Sequence, residues 1–312
     1  MFTNKHYVLT IYREGSFSKA AEKLYISQPS LSASVKRIEE KTGAPIFNRA
    51  TNPISLTEIG KEYVKYAVEI EEKEKDFERY LYDCTNLLTG TVRIGGSSLF
   101  SSFMLPEMIS KFNKEYPQIK FEVFEDSTKN LIEKLSYGYL DIIIDNAVIE
   151  NPIISSTVYT TENLLIAVPA LYEINNKLKD YRFTASEIKK GKHRNKDKSV
   201  SLYEFSEYPF ILLNPENDTG RRANILFKKY GIYPKTIFLL DQQVTSYNIS
   251  ASGMGISFIS DTLIRHLESE QRLYFYTIND NETIRNIYFC KKNNHYLSLS
   301  CKKFIEFLSD KQ

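Results

Sequence analysis

From residue 57 to about residue 88 the chain holds no proline and one glycine, Gly60, and its apolar residues recur on alternating steps of four and three: Ile59, Tyr63, Tyr66, Ile70, Phe77, Tyr80, Cys84 and Leu87. Only Lys73 interrupts this seam. A run of that kind predicts one helix of about 48 Å at 1.5 Å per residue, too long for a domain of about 60 residues to cover. The helix therefore calls for a partner helix. The charged residues Glu69, Glu71, Glu72, Lys73, Glu74, Lys75 and Asp76 read as its solvated side.

The segment before it is a set of short helices. Apolar residues between Tyr7 and Leu24 fall at helical spacing, but Gly15-Ser16 offers a turn followed by an N-cap. Ser27 is a second N-cap, Gln28-Pro29 suits a first helical turn, and Leu31, Val35 and Ile38 share the next helix's inner face. Thr42-Gly43 ends that helix, and residues 47–56, with Asn52-Pro53, have the turn chemistry of a small hairpin, a wing. Ala20 and Ala21 are small enough for two helices to cross closely, with Leu24 and Ile26 filling the corner, as in a helix-turn-helix. Steps of 100° place Pro29, Ala33 and Lys36 outward, flanked by Ser30, Ser32 and Arg37. Such a short-chained, basic face fits a major groove, where a glutamine reads an adenine edge and Lys or Arg holds phosphate. The competing reading, a helical hairpin with a solvated face, leaves the ordered caps, wing and long helix unexplained.

Composition makes any nucleic-acid site local, because 41 Lys+Arg against 39 Asp+Glu leave a formal charge of +2. With 312 residues, 42% of them hydrophobic, two or three folded domains are expected. The N-terminus has no apolar signal core, and the longest apolar stretch, residues 164–172, is broken by Pro169, so neither export nor membrane insertion is expected. Cys84, Cys290 and Cys301 form no CxxC pair, which fits a reducing cytoplasm and no thiolate metal site.

After Thr89-Gly90 the pattern becomes α/β. Strands are expected over 92–95, 119–124, 141–144, 154–159, 164–168, 210–213, 236–240 and 255–259 and around Tyr274 and Tyr288; helices are expected near 103–116, 129–137, 221–230, 243–251 and 262–269 and from about 299. Two α/β lobes, the second over about 163–262, crossed more than once by the chain, would leave a ligand cleft between them.

The ordered set from Gly15 through Gly60 resembles the LysR-type transcriptional regulators. That resemblance implies a winged helix-turn-helix over 1–60, a linker helix over 57–88 that pairs with another subunit, and a two-lobed effector domain over 90–312 folded like periplasmic binding proteins. It also implies homodimers or homotetramers on double-stranded promoter DNA, a bacterial source and a small-molecule effector. By position Gln28, Pro29 and Ser32 match the family's groove-facing residues, and Arg49 matches its wing arginine. Ala33 stands where many members carry arginine, and Asn52-Pro53 where many wings are basic, which shifts the expected DNA contacts toward Lys36, Arg37 and Arg49.

In the effector domain, Arg93 through Ser98 resembles the family's first strand and the turn after it, placing Ser97 and Ser98 at the cleft. Thr128 opens the next helix, Asn146 follows a strand, and Thr219 opens a helix of the other lobe. Hydroxyls at helix N-termini suit carboxylates and other anions. Gly253-Met254-Gly255 reads as backbone geometry, and the basic stretch 189–198 as a solvated, mobile insertion.

Enzyme motifs are absent: His6, His193, His266 and His295 show no metal spacing, and there is no GxSxG, GxxxxGK[ST] or GxGxxG run. No metal or cofactor is expected. The expectation is a cytoplasmic, ligand-responsive DNA-binding regulator. A constitutive regulator is the alternative, and a free solute-binding protein a weaker one, since it gives the N-terminal domain no task.

Overall fold

The computed structural model describes residues 1–51, 53–85, 89–194, 196–267, 272–293 and 295–310. Asn52 of the wing turn, Leu87 and Leu88 at the end of the expected linker, Asn195 of the basic stretch and Ser269 fall outside these residues, as does the side chain of Cys84. The chain divides into two compact units, Met1–Thr85 and Asn86–Gln312.

In the first unit, α1 (Lys5–Glu14), α2 (Phe17–Lys23) and α3 (Gln28–Thr42) precede a two-stranded hairpin, β1 (Phe47–Asn48) with β2 (Ser55–Leu56), and α4 (Glu58–Thr85). Ser16 caps α2 by accepting from Lys19 N at 3.4 Å, and Ser27 caps α3 by accepting from Ser30 N at 3.3 Å. Val8, Leu9, Ala20, Ala21, Leu31, Val35 and Ile38 make one buried core with Ile46 and Phe47 of the hairpin. Tyr63, Val64 and Ala67 of α4 complete it. A Cβ on Gly60 would lie 2.0 Å from the carbonyl oxygen of Ile46, so only glycine lets α4 start this close to the hairpin.

Two expectations for the long helix change. Tyr63 faces the core and stacks on Phe2 with ring centroids 4.9 Å apart, while Ile59, Tyr66, Phe77 and Tyr80 are exposed. The apolar seam thus splits, because at 100° per residue Tyr63 lies about 40° from Ile59, turned toward the buried Val64 and Ala67. The charged side is not simply solvated either: Glu72 and Asp76 are buried, and Glu71 and Glu74 each meet a cation of α1 at 2.7 Å, Arg13 and Lys5.

The second unit contains β3 (Gly90–Gly96), α5 (Leu105–Asn113), β4 (Ile119–Glu125), α6 (Thr128–Ser136), β5 (Ile142–Asp145), β6 (Ile154–Pro169), α7 (Ile174–Lys177) and α8 (Ala185–Lys189). It continues with β7 (Pro209–Leu213), α9 (Asp218–Lys229), β8 (Lys235–Leu240), α10 (Gln243–Ala251), β9 (Ile256–Ser260), α11 (Asp261–His266), β10 (Leu273–Tyr276), β11 (Ile284–Lys292) and α12 (Leu299–Asp310). The sheet order is β4-β3-β5-β11-β6-β9-β7-β8, with β10 also on β6. The parallel pairs β3–β4 and β3–β5 mark one lobe, and β7–β8 and β7–β9 the other.

The strands expected over 154–159 and 164–168 are one strand of 16 residues, β6, about 50 Å long at 3.3 Å per residue. Its first part pairs with β11 through Asn163, and its second part pairs with β9 from Leu164. The polar interval that looks like a break is held by pairing on the sheet, with Glu162 opposite Arg285. β10, past the expected end of the second lobe, pairs with Ile166–Pro169 of the same strand. The basic stretch is also more ordered than a mobile insertion: His193 is buried and Lys189 Nζ donates to Leu267 O at 2.6 Å.

Candidate functional site

Two sets of side chains concern function, one in each unit. On α3 the buried Leu31, Val35 and Ile38 fix the helix's rotation, which leaves Gln28, Pro29, Ser30, Ala33, Lys36 and Arg37 exposed on its other faces. Gln28, Lys36 and Arg37 have no side-chain partner among the described residues. Ser30 accepts from Ser27 Oγ at 3.0 Å, and the half-buried Ser32 accepts from Arg49 Nη1 at 3.3 Å.

Arg49 is partly engaged within the domain. Its guanidinium lies 5.1 Å from the centre of the Phe17 ring and 3.2 Å from Glu39, whose other oxygen accepts from Ile46 N at 2.8 Å. Arg49 therefore fastens the hairpin to α3 and can offer DNA only its remaining N–H groups. Tyr25, in the turn before α3, is 95% exposed and is the described non-glycine residue with positive φ, 54°.

In the second unit, Ser97, Thr128 and Asn146 line one cavity between the lobes, of about 30 Å³, together with Asp145, Asn217, Asp218, Gln242 and Gln243. Ser98 does not line it, and Thr219 is buried behind it, where its hydroxyl accepts from Gln243 Nε2 at 2.7 Å and Arg285 Nη1 at 2.9 Å. Two of the five expected cleft residues thus do not line this cavity, Thr219 because helix phase at the start of α9 turns it inward. A Cβ on Gly220 would lie 2.3 Å from the carbonyl oxygens of Leu213 and Asn214, so glycine permits α9 to start against the end of β7.

Sequence reasoning missed the amides Asn217, Gln242 and Gln243 and a set of charged residues. Arg285 on β11 is fully buried, donating from Nε to Glu162 at 2.7 Å and from Nη1 to Asp218 at 2.9 Å. Asn146 Nδ2 also donates to Glu162, at 3.2 Å, so one carboxylate holds both this amide and the buried arginine. Burial opposes ionisation of Asp218, but Arg285, Arg222 and Arg221 outweigh it and hold the carboxyl below its usual range. Asp145 goes the other way: burial raises its pKa, and the bonds from Ala147 N and Thr128 Oγ1, each 2.8 Å, only partly offset this.

Three helix starts border the cavity, and two are already capped, by Ser127 on α6 and Asn217 on α9. The start of α10 has no side-chain cap at Gln242, leaving N–H groups there for an anion. Among the described residues no group of His, Cys, Asp and Glu is placed to hold a metal ion, and no helix is long and apolar enough to cross a membrane.

A winged helix-turn-helix followed by a mixed-sheet α/β domain with an interlobe cleft defines the class: a DNA-binding regulator with an effector-type domain. The chain belongs to the LysR family, since residues 3–61 match its bacterial regulatory helix-turn-helix domain and residues 85–312 match the LysR substrate binding domain. A probable RuBisCO transcriptional regulator of Chlorokybus atmophyticus is 27% identical over 301 residues, covering 94% of this chain and 90% of that one. The HTH-type transcriptional regulator BenM of Acinetobacter baylyi is 29% identical over 260 residues, covering 81% of this chain and 78% of its own. Full-length CbnR, solved in complex with its target DNA, shares the fold with a TM-score of 0.62 at 17% identity, with 100% of each chain covered.

Proposed function

We propose that this LysR-family chain is a ligand-responsive regulator that reads promoter DNA with α3 and senses a small acidic effector in the interlobe cleft. The observation that carries the effector reading is the meeting of Ser97, Thr128 and Asn146 with the uncapped start of α10 on one cavity. An acid there receives N–H groups and hydroxyls, and the arginines that meet Asp218 reduce the repulsion from that carboxylate. For DNA, Gln28 supplies base readout, Pro29, Ser30 and Ser32 close approach, and Lys36, Arg37 and in part Arg49 phosphate contact. CbnR was solved on its target DNA, which supports double-stranded promoter DNA as the partner. The exposed Tyr66, Phe77 and Tyr80 of α4 support a homodimer, within a tetramer or alone, formed through that helix. A cytoplasmic regulator without cofactor or catalysis fits these parts.

The test is DNA affinity on selected genomic fragments across a panel of small carboxylates. One of them should shift the affinity of the wild-type chain, and Thr128→Val should abolish the shift. A second reading, constitutive regulation, draws on the cavity's size of about 30 Å³ and on the internal bonds of Thr128 and Asn146. A panel that leaves DNA affinity unchanged throughout favours it over the acidic-effector reading.

A further inference from the structure

We infer that a second cavity, beside the crossing strands and walled by the basic insertion, binds a small polyhydroxylated acid. It measures about 240 Å³ and is lined by residues from three places: Thr161 and 163–165 of β6, 277–281 with Thr283 and Ile284 on the return crossing, and His193, Arg194 and Ser199 of the insertion. The cleft cavity is separate, and the two share no lining residue.

The wall is built. The His193 side chain is fully buried with Nε2 2.9 Å from Asp261, and Asp261 also accepts from Asn163 N at 2.9 Å, which ties the insertion to β6. On the other side, Thr277 Oγ1 donates to Lys198 O at 2.9 Å and Thr277 O accepts from Val200 N at 2.9 Å, tying it to the return crossing. Rigid walls hold polar groups in place at little ordering cost on binding.

The chemistry of those walls selects the ligand. Their carboxylate, Asp280, is neutralised by Lys229 at 2.7 Å, and Asp261 behind His193 is met by Arg265. The guanidinium of Arg194 has no partner among the described residues and is the cation left for a carboxylate. Thr161, Asn279 and Asn281 are likewise without side-chain partners, offering donors and acceptors for hydroxyls. His193, in the same wall, carries a buried Nδ1 that has no partner among the described residues. The volume lies below the range of about 300–1,000 Å³ common for drug-sized ligands, so the occupant has the size of a sugar acid. A molecule touching both crossings changes the balance of lobe arrangements by its differential affinity for them.

The experiment is calorimetric titration of the full chain with gluconate and glycerate, with glucose and acetate as arms carrying only hydroxyls or only charge. Gluconate or glycerate should bind at millimolar concentration or better and more tightly than either arm. Arg194→Ala should weaken binding about tenfold, and Asn281→Leu should weaken it as well, since a charge-assisted bond and an amide are lost. Thr128→Val, in the cleft, should leave it unchanged. Binding of neither hydroxy acid, or equal binding in Arg194→Ala, overturns the site. Binding lost in Thr128→Val but kept in Arg194→Ala also overturns it and moves the ligand to the cleft.

Discussion

On the outer face of α3, Gln28, Lys36 and Arg37 carry no side-chain partner among the described residues, whereas in the cleft Thr128, Asn146 and Thr219 are bonded to Asp145, Glu162, Gln243 and Arg285. The difference follows from burial. An exposed polar group costs nothing while it waits for a partner, because water satisfies it, but a buried one must be bonded inside the protein. The helix can therefore be read almost directly as a contact list, and the cleft cannot: its polar residues are first structural and only then available to a ligand.

The sharpest way to break that contrast is at the buried cation. Arg285→Ala leaves Glu162 buried with no cation and Asp218 with only Arg221 and Arg222, and the expected loss is about 3–5 kcal/mol, read as a lower urea midpoint. A change within error would mean that the carboxylates reach water and that the cleft is as open as α3. Next in size is specificity on the helix: Gln28→Ala should lose about 1–3 kcal/mol of discrimination at one base pair with no change in the urea midpoint. Arg37→Ala should weaken binding to every sequence and lower the salt slope by about 1. An unchanged slope would place Arg37 away from phosphate. Arg49→Ala should lower both DNA affinity and stability, because its guanidinium also holds Glu39 and Phe17.

Two aspartates sharpen the comparison within the cleft. The folded-state pKa of Asp218 is depressed, so its contribution is present above the unfolded value near 3.9 and is lost as pH falls through the lower folded value. For Asp145 the folded value is raised, so the relative stabilisation is present below the unfolded value and is lost as pH rises through the folded one. At neutral pH, Asp218→Asn should destabilise by about 1–3 kcal/mol, while Asp145→Asn should change stability by less than about 1 kcal/mol or raise it. Equal losses in the two variants, followed by urea unfolding between neutral and acid pH, would contradict this assignment. Smallest in stability but decisive for assembly, Phe77→Asp on a side chain 60% exposed should leave the midpoint of unfolding nearly unchanged and sediment as a smaller species.

Local patterns determined the helices of the first unit: caps at Ser16 and Ser27, the inner stripe of Leu31, Val35 and Ile38, and a long proline-free helix are consequences of neighbours within a few turns. The exposed face of α3 was legible for the same reason, since helix phase is set by the buried stripe. What only the tertiary structure decided depends on residues far apart in sequence. The pairing of Glu162 with Arg285 turns two apparent strands into one and puts a cation under the cleft, and no local pattern around either residue signals it. Tyr63 left the seam for the core, Thr219 turned inward from the cleft, and His193 left a basic stretch for Asp261. In each case a side chain had two acceptable environments by local chemistry, and burial against a distant element chose between them.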